Sequence, residues 1–206
     1  MKILIINGSL RGQNGNSAAI AKHAENMLGQ QSVTLTLSDK LPTIREVYNL
    51  LESCDGFLVI SGVYWNNWSS PLQRFIEVTT AFENTPAFFG KPMACAVTMD
   101  SVGGIEVAAR LQAVFGGLGC WTPPCSTVVL SRIGQEAIAA TSGMEDDPNE
   151  DVWRIDDLSV VLHNLVAAAG MPRNSWKAWP HRELHIPDGP WPAEGVLDMG
   201  TPRFFK

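Results

Sequence analysis

The sequence predicts an α/β fold in which helices cover both faces of a five-stranded parallel sheet. Short, continuously apolar segments, such as residues 3–6 and 57–60, are typical of strands that are buried on both faces. Between these segments, longer stretches repeat apolar residues at helical spacing. Strands that alternate with helices in this way form a doubly wound parallel sheet. With 206 residues, the chain is expected to bury one core as a single domain.

Each predicted element follows from its local pattern. The predicted strands are residues 3–6, 33–37, 55–60, 92–99 and 127–130. The predicted helices are residues 17–28, a helix capped by Thr43, one with Pro71 in its first turn, one opened by Gly103 and Gly104, and a last one from Val152 to Val166. An acidic run, residues 145–151, precedes the last helix. We interpret its carboxylates as capping groups at the helix N-terminus rather than as metal ligands.

Regular structure is expected to end near residue 170. Six prolines follow Met171, and proline interrupts helices and strands. Trp176, Trp179 and Trp191 are nevertheless too apolar to remain in water. We therefore expect residues 171–206 to form an extended tail, which packs on the domain formed by residues 1–170 or on another subunit.

Composition excludes several classes of function. The formal charge of −6 and the isoelectric point near 5.2 argue against a nucleic-acid surface, which needs a basic patch. The charge is also too modest for a dedicated electron carrier that docks by electrostatics. No apolar segment has the length of a membrane span, and the N-terminus enters a strand without a leader, so residence in the cytoplasm is expected. The four cysteines and four histidines are dispersed, and no metal site is expected.

Residues 7–17, between the first strand and the first helix, are predicted to bind an anion. Backbone N–H groups of small residues can converge on an oxyanion there, and the helix N-terminus adds positive potential. The side chains of Ser9, Arg11, Asn16 and Ser17 suit a phosphate monoester. The ligand is therefore expected to carry a phosphate.

This stretch matches neither of the common nucleotide-binding templates. A Walker loop is excluded because no lysine follows the glycines at the required spacing. The glycines at 8, 12 and 15 also differ from the dinucleotide fingerprint, although Asp39 stands where a ribose-binding acid would be, so a degenerate dinucleotide site remains open. A plain turn rich in glycine and asparagine is the other alternative.

Two further loops are expected at the same edge of the sheet if the strand order is 2-1-3-4-5, because ligands of doubly wound sheets bind at the carboxyl ends of strands. The loop after strand three contains Val63, Tyr64, Trp65 and Asn66, which suit a planar heteroaromatic ring. These aromatic residues, and Trp68 in particular, could instead belong to the core or to an oligomer interface.

The loop after strand four contains Asp100, Gly103 and Gly104. Its backbone N–H groups, at the start of a helix, could meet the negative charge that a reduced ring develops. A phosphate monoester at one end and a planar ring at the other, without a dedicated acid, base or metal, describe flavin mononucleotide (FMN). We therefore assign no catalytic acid or base.

The sequence resembles the flavodoxin-like NAD(P)H-dependent FMN reductases and their quinone and chromate reductase relatives. Residues 8–11 with 15–17 are similar to the family's phosphate loop, residues 63–65 to the loop against the isoalloxazine, and residues 72–77 to the helix that follows. The resemblance covers about residues 2–168. It implies bound FMN, NAD(P)H as co-substrate that gives hydride to the flavin, and a homodimer or homotetramer with the substrate site at a subunit boundary.

Three residues depart from the family pattern. Gly62 stands where the family usually has proline, so the loop's geometry is less fixed. Gln73 replaces a common lysine and Glu77 a common aspartate. The contacts that those residues make in relatives cannot be transferred to this chain.

The sequence thus predicts an FMN-dependent oxidoreductase that takes hydride from NAD(P)H and reduces a small acceptor such as a quinone or a free flavin. One alternative is an electron carrier or FMN-binding protein without its own NAD(P)H activity. A second alternative is a protein that binds another nucleotide or a sugar phosphate at the same edge. The choice between NADH and NADPH, and the identity of the acceptor, stay open.

Overall fold

A computed structural model of the chain describes residues 1–141, 152–173, 176–180, 186 and 189–191. Its centre is a sheet of five strands in the order β2-β1-β3-β4-β5, and all neighbouring strands are parallel. The strands are β1 (Ile3–Asn7), β2 (Ser32–Thr36), β3 (Gly56–Gly62), β4 (Met93–Met99) and β5 (Thr127–Ser131). The predicted fold class and strand order are confirmed.

The strand order reverses at β1, which lies between β2 and β3. Ile5 of β1 stands opposite Thr34 of β2 and Leu58 of β3. Every residue of β1 and β3 is buried, as expected for strands with helices on both faces. The chain leaves β1 toward β2 and returns to β3 on the other side, so the crevice above the carboxyl end of β1 is the switch point where ligands bind in such sheets.

Helices cover both faces of the sheet. They are α1 (Asn16–Leu28), α2 (Ile44–Ser53), α3 (Ser70–Thr79), α4 (Gly104–Leu118), α5 (Arg132–Thr141) and α6 (Leu158–Ala169). Leu4 and Ile6 of β1 point into the core shared with α2, α3 and α4, whereas Ile3 and Ile5 point into the core shared with α1 and α6. The alternation of side chains along each strand therefore produces two apolar cores, one on each face.

Predicted helix starts coincide with observed capping interactions. Thr43 and Glu46 form a capping box at α2, in which the Thr43 hydroxyl accepts a hydrogen bond from Glu46 N and the Glu46 carboxylate accepts one from Thr43 N. At α3 the Ser69 hydroxyl accepts a hydrogen bond from Leu72 N, and Pro71 lies in the first turn. These interactions satisfy N–H groups that have no partner within the helix.

Two helices differ from the prediction. The sequence reading does not contain α5, which follows β5 without a connecting loop and is capped by the Ser131 hydroxyl, an acceptor for Gly134 N at 3.1 Å. The last helix begins at Leu158, not at Val152, because the Asp157 carboxylate accepts a hydrogen bond from Arg154 N and forms a 3₁₀ turn, Ile155–Asp157, before α6. The acidic run 145–151 lies outside the described residues, so its capping role stays a prediction.

The last described residues of the C-terminal tail, 189–191, contact the face formed by α2 and α3. The Trp191 ring stacks on Phe75 with 6.0 Å between ring centroids, and Ile44 N donates a hydrogen bond to Gly189 O. Trp176 lies beside Trp121 but stays about half exposed. The boundary between a domain of residues 1–170 and a tail of residues 171–206 remains a prediction.

A buried lysine closes the opposite, amino-terminal edge of the sheet. Lys91 Nζ donates hydrogen bonds to the carbonyl oxygens of Leu51 and Glu52, at 2.7 and 3.0 Å, near the C-terminus of α2. Burial lowers the pKa of Lys91 to about 8.

Within the described part of the chain, no helix is long and apolar enough to span a membrane.

Candidate functional site

A cavity of about 430 Å³ opens at the carboxyl edge of the sheet, above the ends of β1, β3 and β4. Three loops that the sequence reading places at this edge contribute to it, together with the first residue of α5. The lining residues are Ser9, Leu10, Arg11, Asn14, Gly15, Asn16, Ser17, Gly62, Val63, Tyr64, Thr98, Met99, Asp100 and Arg132. Its size falls within the usual range of small-molecule sites.

The loop between β1 and α1 is held in place by its own side chains. The amide oxygen of the buried Asn7 accepts a hydrogen bond from Ser9 N at 3.1 Å, and its nitrogen faces Gly12 O at 3.5 Å. The Ser9 hydroxyl, also buried, accepts one from Arg11 N at 3.1 Å. The loop therefore keeps its shape through polar contacts within the protein, which is the preorganisation that an anion site needs.

Two features make this loop a cradle. No side chain caps the N-terminus of α1 at Gly15. The N–H groups in the first turn of this thirteen-residue helix therefore remain available to a ligand in the cavity. A Cβ at residue 15 would lie only 2.6 Å from Ser9 Oγ, closer than carbon and oxygen can approach. Ser17 is buried just inside the helix. The absence of a side chain at Gly15 thus leaves a space lined by hydroxyl and N–H groups.

The loop after β3 contains a tight turn beside the cavity. Tyr64 and Asn67 exchange two backbone hydrogen bonds, of 2.7 and 3.0 Å, and the central residues Trp65 and Asn66 have φ of +49° and +58°. Positive φ at both central positions is the signature of a type I′ turn. The Tyr64 ring folds back over Gly62, where a Cβ would lie 3.2 Å from Tyr64 Cε2.

The structure brings seven of the eleven predicted site residues together at the cavity. The four that do not line it are Trp65, Asn66, Gly103 and Gly104. The Trp65 side chain is fully exposed to solvent at the tip of the turn. Asn66 packs against Gly103, where any Cβ would collide with its amide oxygen, and Gly103 has a φ of +89°. The contact between Asn66 and Gly103 holds the second and third loops against each other, next to the cavity.

Asp100 is fixed at the cavity by residues at the start of α5. Arg132 Nε donates to an Asp100 carboxylate oxygen, and Arg132 Nη1 donates to Glu136 at 2.6 Å. The backbone oxygen of Asp100 accepts hydrogen bonds from the Ser131 hydroxyl and from Ile133 N. The hydrogen bond from Arg132 holds the pKa of Asp100 below its usual range, so a carboxylate charge persists at this wall of the cavity.

Three residues of the cavity lining, Thr98, Met99 and Arg132, lie outside the loops that the sequence predicts. The sequence could have predicted Thr98 and Met99, because they are the last residues of β4 and ligands of such sheets bind at the carboxyl ends of the strands. Arg132 carried no signal, because the helix that presents it was not predicted. Asp39, the candidate ribose-binding acid, lies beside Gly12 rather than on the lining, with its carboxylate 3.7 Å from where a Cβ of residue 12 would stand.

Trp68 is partly buried and packs against the core shared with α2, α3 and α4. This is the core position that the sequence offered as the alternative to a role in ligand binding. The Trp68 indole N–H donates to Gln73 at 2.8 Å, and the Arg110 guanidinium lies 5.3 Å from its ring. The part of the chain that the structure describes contains no group of three or more His, Cys, Asp or Glu side chains that could hold a metal.

The sequence model of the family described as NADPH-dependent FMN reductase matches residues 1–135, which include the whole cavity lining. The chain belongs to this family. An NADPH-dependent FMN reductase uses FMN as its cofactor and NAD(P)H as its co-substrate, and the chain is accordingly a flavin-dependent reductase. No curated protein sequence matches it.

Solved structures of flavoproteins share the fold. RosB with bound 8-demethyl-8-formylriboflavin-5'-phosphate is 10% identical, with full coverage of both chains and a TM-score of 0.66. The general stress protein 14 of Treponema denticola in complex with FMN is 17% identical over 82% of this chain and 99% of its own, with a TM-score of 0.57. The NAD(P)H:(acceptor) oxidoreductase FerB of Paracoccus denitrificans is 18% identical over 82% and 94%, with a TM-score of 0.53.

The residues of the cavity fit FMN. The cradle of Ser9, Gly15 and Ser17 at an uncapped helix N-terminus offers hydroxyl and N–H donors for a phosphate, and Arg11 adds a positive charge. Tyr64 lines the same cavity away from this cradle and offers an aromatic side chain to the flavin ring. Donors for an anion at one end and an aromatic wall at the other correspond to the two ends of a flavin mononucleotide.

Proposed function

We propose that this protein takes reducing equivalents from NAD(P)H and passes them to a small organic acceptor of the quinone or free-flavin class. The observation that carries the proposal is the single cavity that joins the uncapped N-terminus of α1 to Tyr64 and to the β4–α4 loop. Family membership supports the flavin chemistry, and the acceptor class is the step beyond it.

In this proposal the phosphate of FMN binds at the start of α1. Ser9, Asn16 and Ser17 donate hydrogen bonds to its oxygens, and Arg11 supplies a charge from the rim of the loop. The N–H groups of the first helical turn add donors and the positive end of the helix dipole. The buried positions of Ser9 and Ser17 shield these bonds from water, which strengthens them.

The ring of FMN would lie between the loops after β3 and β4. Tyr64 and Val63 provide one wall, and Asp100 the other. Trp65 and Asn66 hold the adjoining turn, with the Trp65 indole free to cover a ring that extends beyond the cavity. Gly103 and Gly104 allow the β4–α4 loop to approach closely, because a Cβ at either would collide with Asn66 or with Val129 and Met99.

When bound, FMN supplies the two-electron redox chemistry. The protein's own residues would bind and orient it: Asp100, kept ionised by Arg132, places a carboxylate at the ring site, and the paired guanidinium offsets its charge as long as the pair is intact. A carboxylate there disfavours the gain of negative charge on a neighbouring group. We therefore expect the Arg132–Asp100 pair to set the reduction potential of the bound flavin, and substitution of Asp100 by Asn should raise it.

The test is rapid mixing of the purified protein with NADH and with NADPH, under anaerobic conditions, while flavin absorbance is followed. Loss of the oxidised-flavin band, and its return on addition of 1,4-benzoquinone, is the expected result. A protein that binds FMN but is not reduced by either nicotinamide is an electron carrier or FMN-binding protein instead. A protein that shows no FMN binding by calorimetry is not the proposed reductase.

The phosphate assignment has its own variant. Replacing both Asn16 and Ser17 by alanine should weaken FMN binding by about 1 kcal/mol or more, the range for hydrogen bonds to a charged group. Unchanged affinity in this double variant would show that the phosphate binds elsewhere.

We expect the protein to form a homodimer or homotetramer, with the acceptor bound at a subunit boundary. Light scattering on the FMN-loaded protein measures the number of subunits.

A further inference from the structure

A second cavity, of about 540 Å³, lies on the other side of Arg132 from the phosphate loop. We refer to it as the α5 cavity, because α5 forms its roof. Its walls come from the first two turns of α1, the carboxyl ends of β4 and β5, and Ile155 in the 3₁₀ turn before α6. It is larger than the cavity assigned to FMN, and the proposed function gives it no role.

The lining of the α5 cavity selects against charge. Its walls are mainly apolar, with Ile20 of α1, Leu130 of β5 and Ile155 as the larger side chains. The carboxylate and the guanidinium on its described lining, Glu136 and Arg132, bind each other at 2.6 Å. Because these two charges offset each other, the described lining offers an ionic ligand no unbalanced charge, whereas an uncharged molecule needs none.

Polar groups at the rim indicate what such a molecule could carry. His23 of α1 and Gln135 of α5 line the cavity, and the Gln135 amide is held in place because its nitrogen donates to Trp153 O at 2.9 Å. An imidazole and an amide both form hydrogen bonds with carbonyl or hydroxyl groups. The matching ligand is an uncharged, mostly apolar organic molecule with a carbonyl or hydroxyl group.

The roof of the α5 cavity is tied to the FMN cavity. Asn16, Thr98, Met99 and Arg132 line both cavities. Arg132 also binds Asp100, whose backbone oxygen accepts a hydrogen bond from Ile133 N at 3.1 Å, so the start of α5 is fixed to the β4–α4 loop. A ligand in one cavity therefore contacts side chains that a ligand in the other also contacts, and these shared side chains are the physical route for a coupling between the two sites.

Part of the roof lies beyond the residues that the family model matches. The family match ends at residue 135, three residues beyond the start of α5, and Glu136, Ala139 and Ile155 follow it. Ten of the thirteen lining residues of the α5 cavity thus lie inside the family match, and three lie beyond it.

We propose that the α5 cavity binds a second, uncharged and mostly apolar organic molecule with a carbonyl or hydroxyl group, and that this binding tightens the binding of FMN through Arg132. The coupling rests on the proposed FMN site, whereas binding to the α5 cavity does not. No electron transfer to the second molecule is part of the proposal.

The experiment uses 2-naphthol as an uncharged probe and naphthalene-2-sulfonate as its charged counterpart, with binding followed by calorimetry and by backbone amide shifts of the full chain. One site for 2-naphthol, with shifts at His23 and Ala139, is expected, and the sulfonate should bind at least tenfold more weakly. Equal affinity for both probes would overturn the ligand class. Absence of 2-naphthol binding to the folded protein would overturn the site.

Two neighbouring alanines on α5 provide a matched pair of variants. Ala139 lines the cavity and Ala140 does not, and both are exposed. Ala139→Phe should fill the cavity and weaken 2-naphthol binding at least tenfold, whereas Ala140→Phe should leave it unchanged. If Ala139→Phe does not fold, Ala19→Leu fills the same space from α1. Unchanged 2-naphthol binding in a folded, cavity-filled variant would refute the location.

The coupling is measured separately. Saturating 2-naphthol should tighten FMN binding about fivefold, and FMN should tighten 2-naphthol binding by the same factor. Arg132→Gln should remove this mutual effect while 2-naphthol still binds. If the two ligands bind the unaltered protein independently, the coupling is refuted. If the protein does not bind FMN at all, the proposed function is refuted, but the effects of Ala139→Phe and Ala140→Phe on 2-naphthol binding still test the α5 cavity.

Discussion

The close approach of Gly15 to Ser9 gives the most specific test of the phosphate cradle. Gly15 has φ of −106° and ψ of 169°, an extended conformation that alanine also adopts, so Gly15→Ala adds no backbone strain. Its new Cβ would stand 2.6 Å from Ser9 Oγ, and the next neighbours are Arg11 Cβ at 3.4 Å and Ser9 Cβ at 3.8 Å. The substitution therefore acts on one atom, the Ser9 hydroxyl oxygen.

The expected magnitudes follow from these contacts. Ser9→Ala removes a donor to the phosphate and the acceptor for Arg11 N, which should weaken FMN binding by about 1–2 kcal/mol. Gly15→Ala displaces the same hydroxyl and also narrows the cradle, and overpacking of this kind costs a further 1–3 kcal/mol or so. In the double variant the Cβ meets only ordinary contacts, so its loss should be close to that of Ser9→Ala alone.

The assay is a double-mutant cycle on the dissociation constant of FMN, followed through the fluorescence of the flavin. The sum of the two single effects should exceed the effect of the double variant by about 2–5 kcal/mol, which is the whole effect of Gly15→Ala, because both substitutions act through one shared atom. Gly116→Ala is the matched control, since residue 116 is an exposed helical glycine with no atom within 4 Å of a Cβ. It should leave FMN binding unchanged and stabilise the fold by about 1 kcal/mol.

Additive effects of Ser9→Ala and Gly15→Ala on FMN affinity would refute this reasoning, because they would show that the two positions act independently. So would tight FMN binding by Gly15→Ala with unchanged thermal stability, since the cradle would then not be where the phosphate lies.

Three further predictions concern the scaffold. Because burial lowers the pKa of Lys91 to about 8, against 10.5 for an exposed lysine, the unfolded chain binds an extra proton between these pH values. The free energy of unfolding should therefore rise with pH in that window, by up to about 3 kcal/mol, and urea titrations of Lys91→Met should lack the rise. Thr43→Ala removes the capping box with Glu46 and should lower the free energy of unfolding by about 1 kcal/mol in the same titrations, with little change in FMN affinity. Trp191→Ala removes the ring stacked on Phe75 and should lower the melting temperature by scanning calorimetry, and an unchanged value would show that the tail does not brace α3.

The fold could be predicted because its determinants are local. Thr43 with Glu46, Ser69 with Pro71 and the buried runs of β1 and β3 each specify a helix start or a buried strand within a few residues. Once the elements alternate, the handedness of parallel connections restricts the topology to few choices. The loops at the carboxyl edge then follow from strand order alone.

The rest of the site depends on contacts between residues far apart in the sequence. Arg132 reaches the cavity only because α5 leaves β5 without a loop, and Asp100 holds it there across 32 positions of the chain. The full exposure of Trp65 follows from the type I′ turn, which a tryptophan rarely enters and which no local pattern announces. A sequence pattern places such residues in a loop but does not say which way the loop turns.

Different segments cover the two faces of the sheet, the C-terminal tail on one and α5 on the other, and this explains where the α5 cavity lies. On the α2–α3 face, Trp191 and Ile186 of the tail pack against the core and close it with apolar side chains. On the α1–α6 face, the described contacts between α5 and its surroundings are mainly polar: Arg132 with Asp100, and Gln135 with Trp153. Polar contacts hold a helix at a distance without filling the space beneath it. An unfilled apolar space beside a nucleotide site is therefore the expected result of roofing one face with α5 while the tail seals the other.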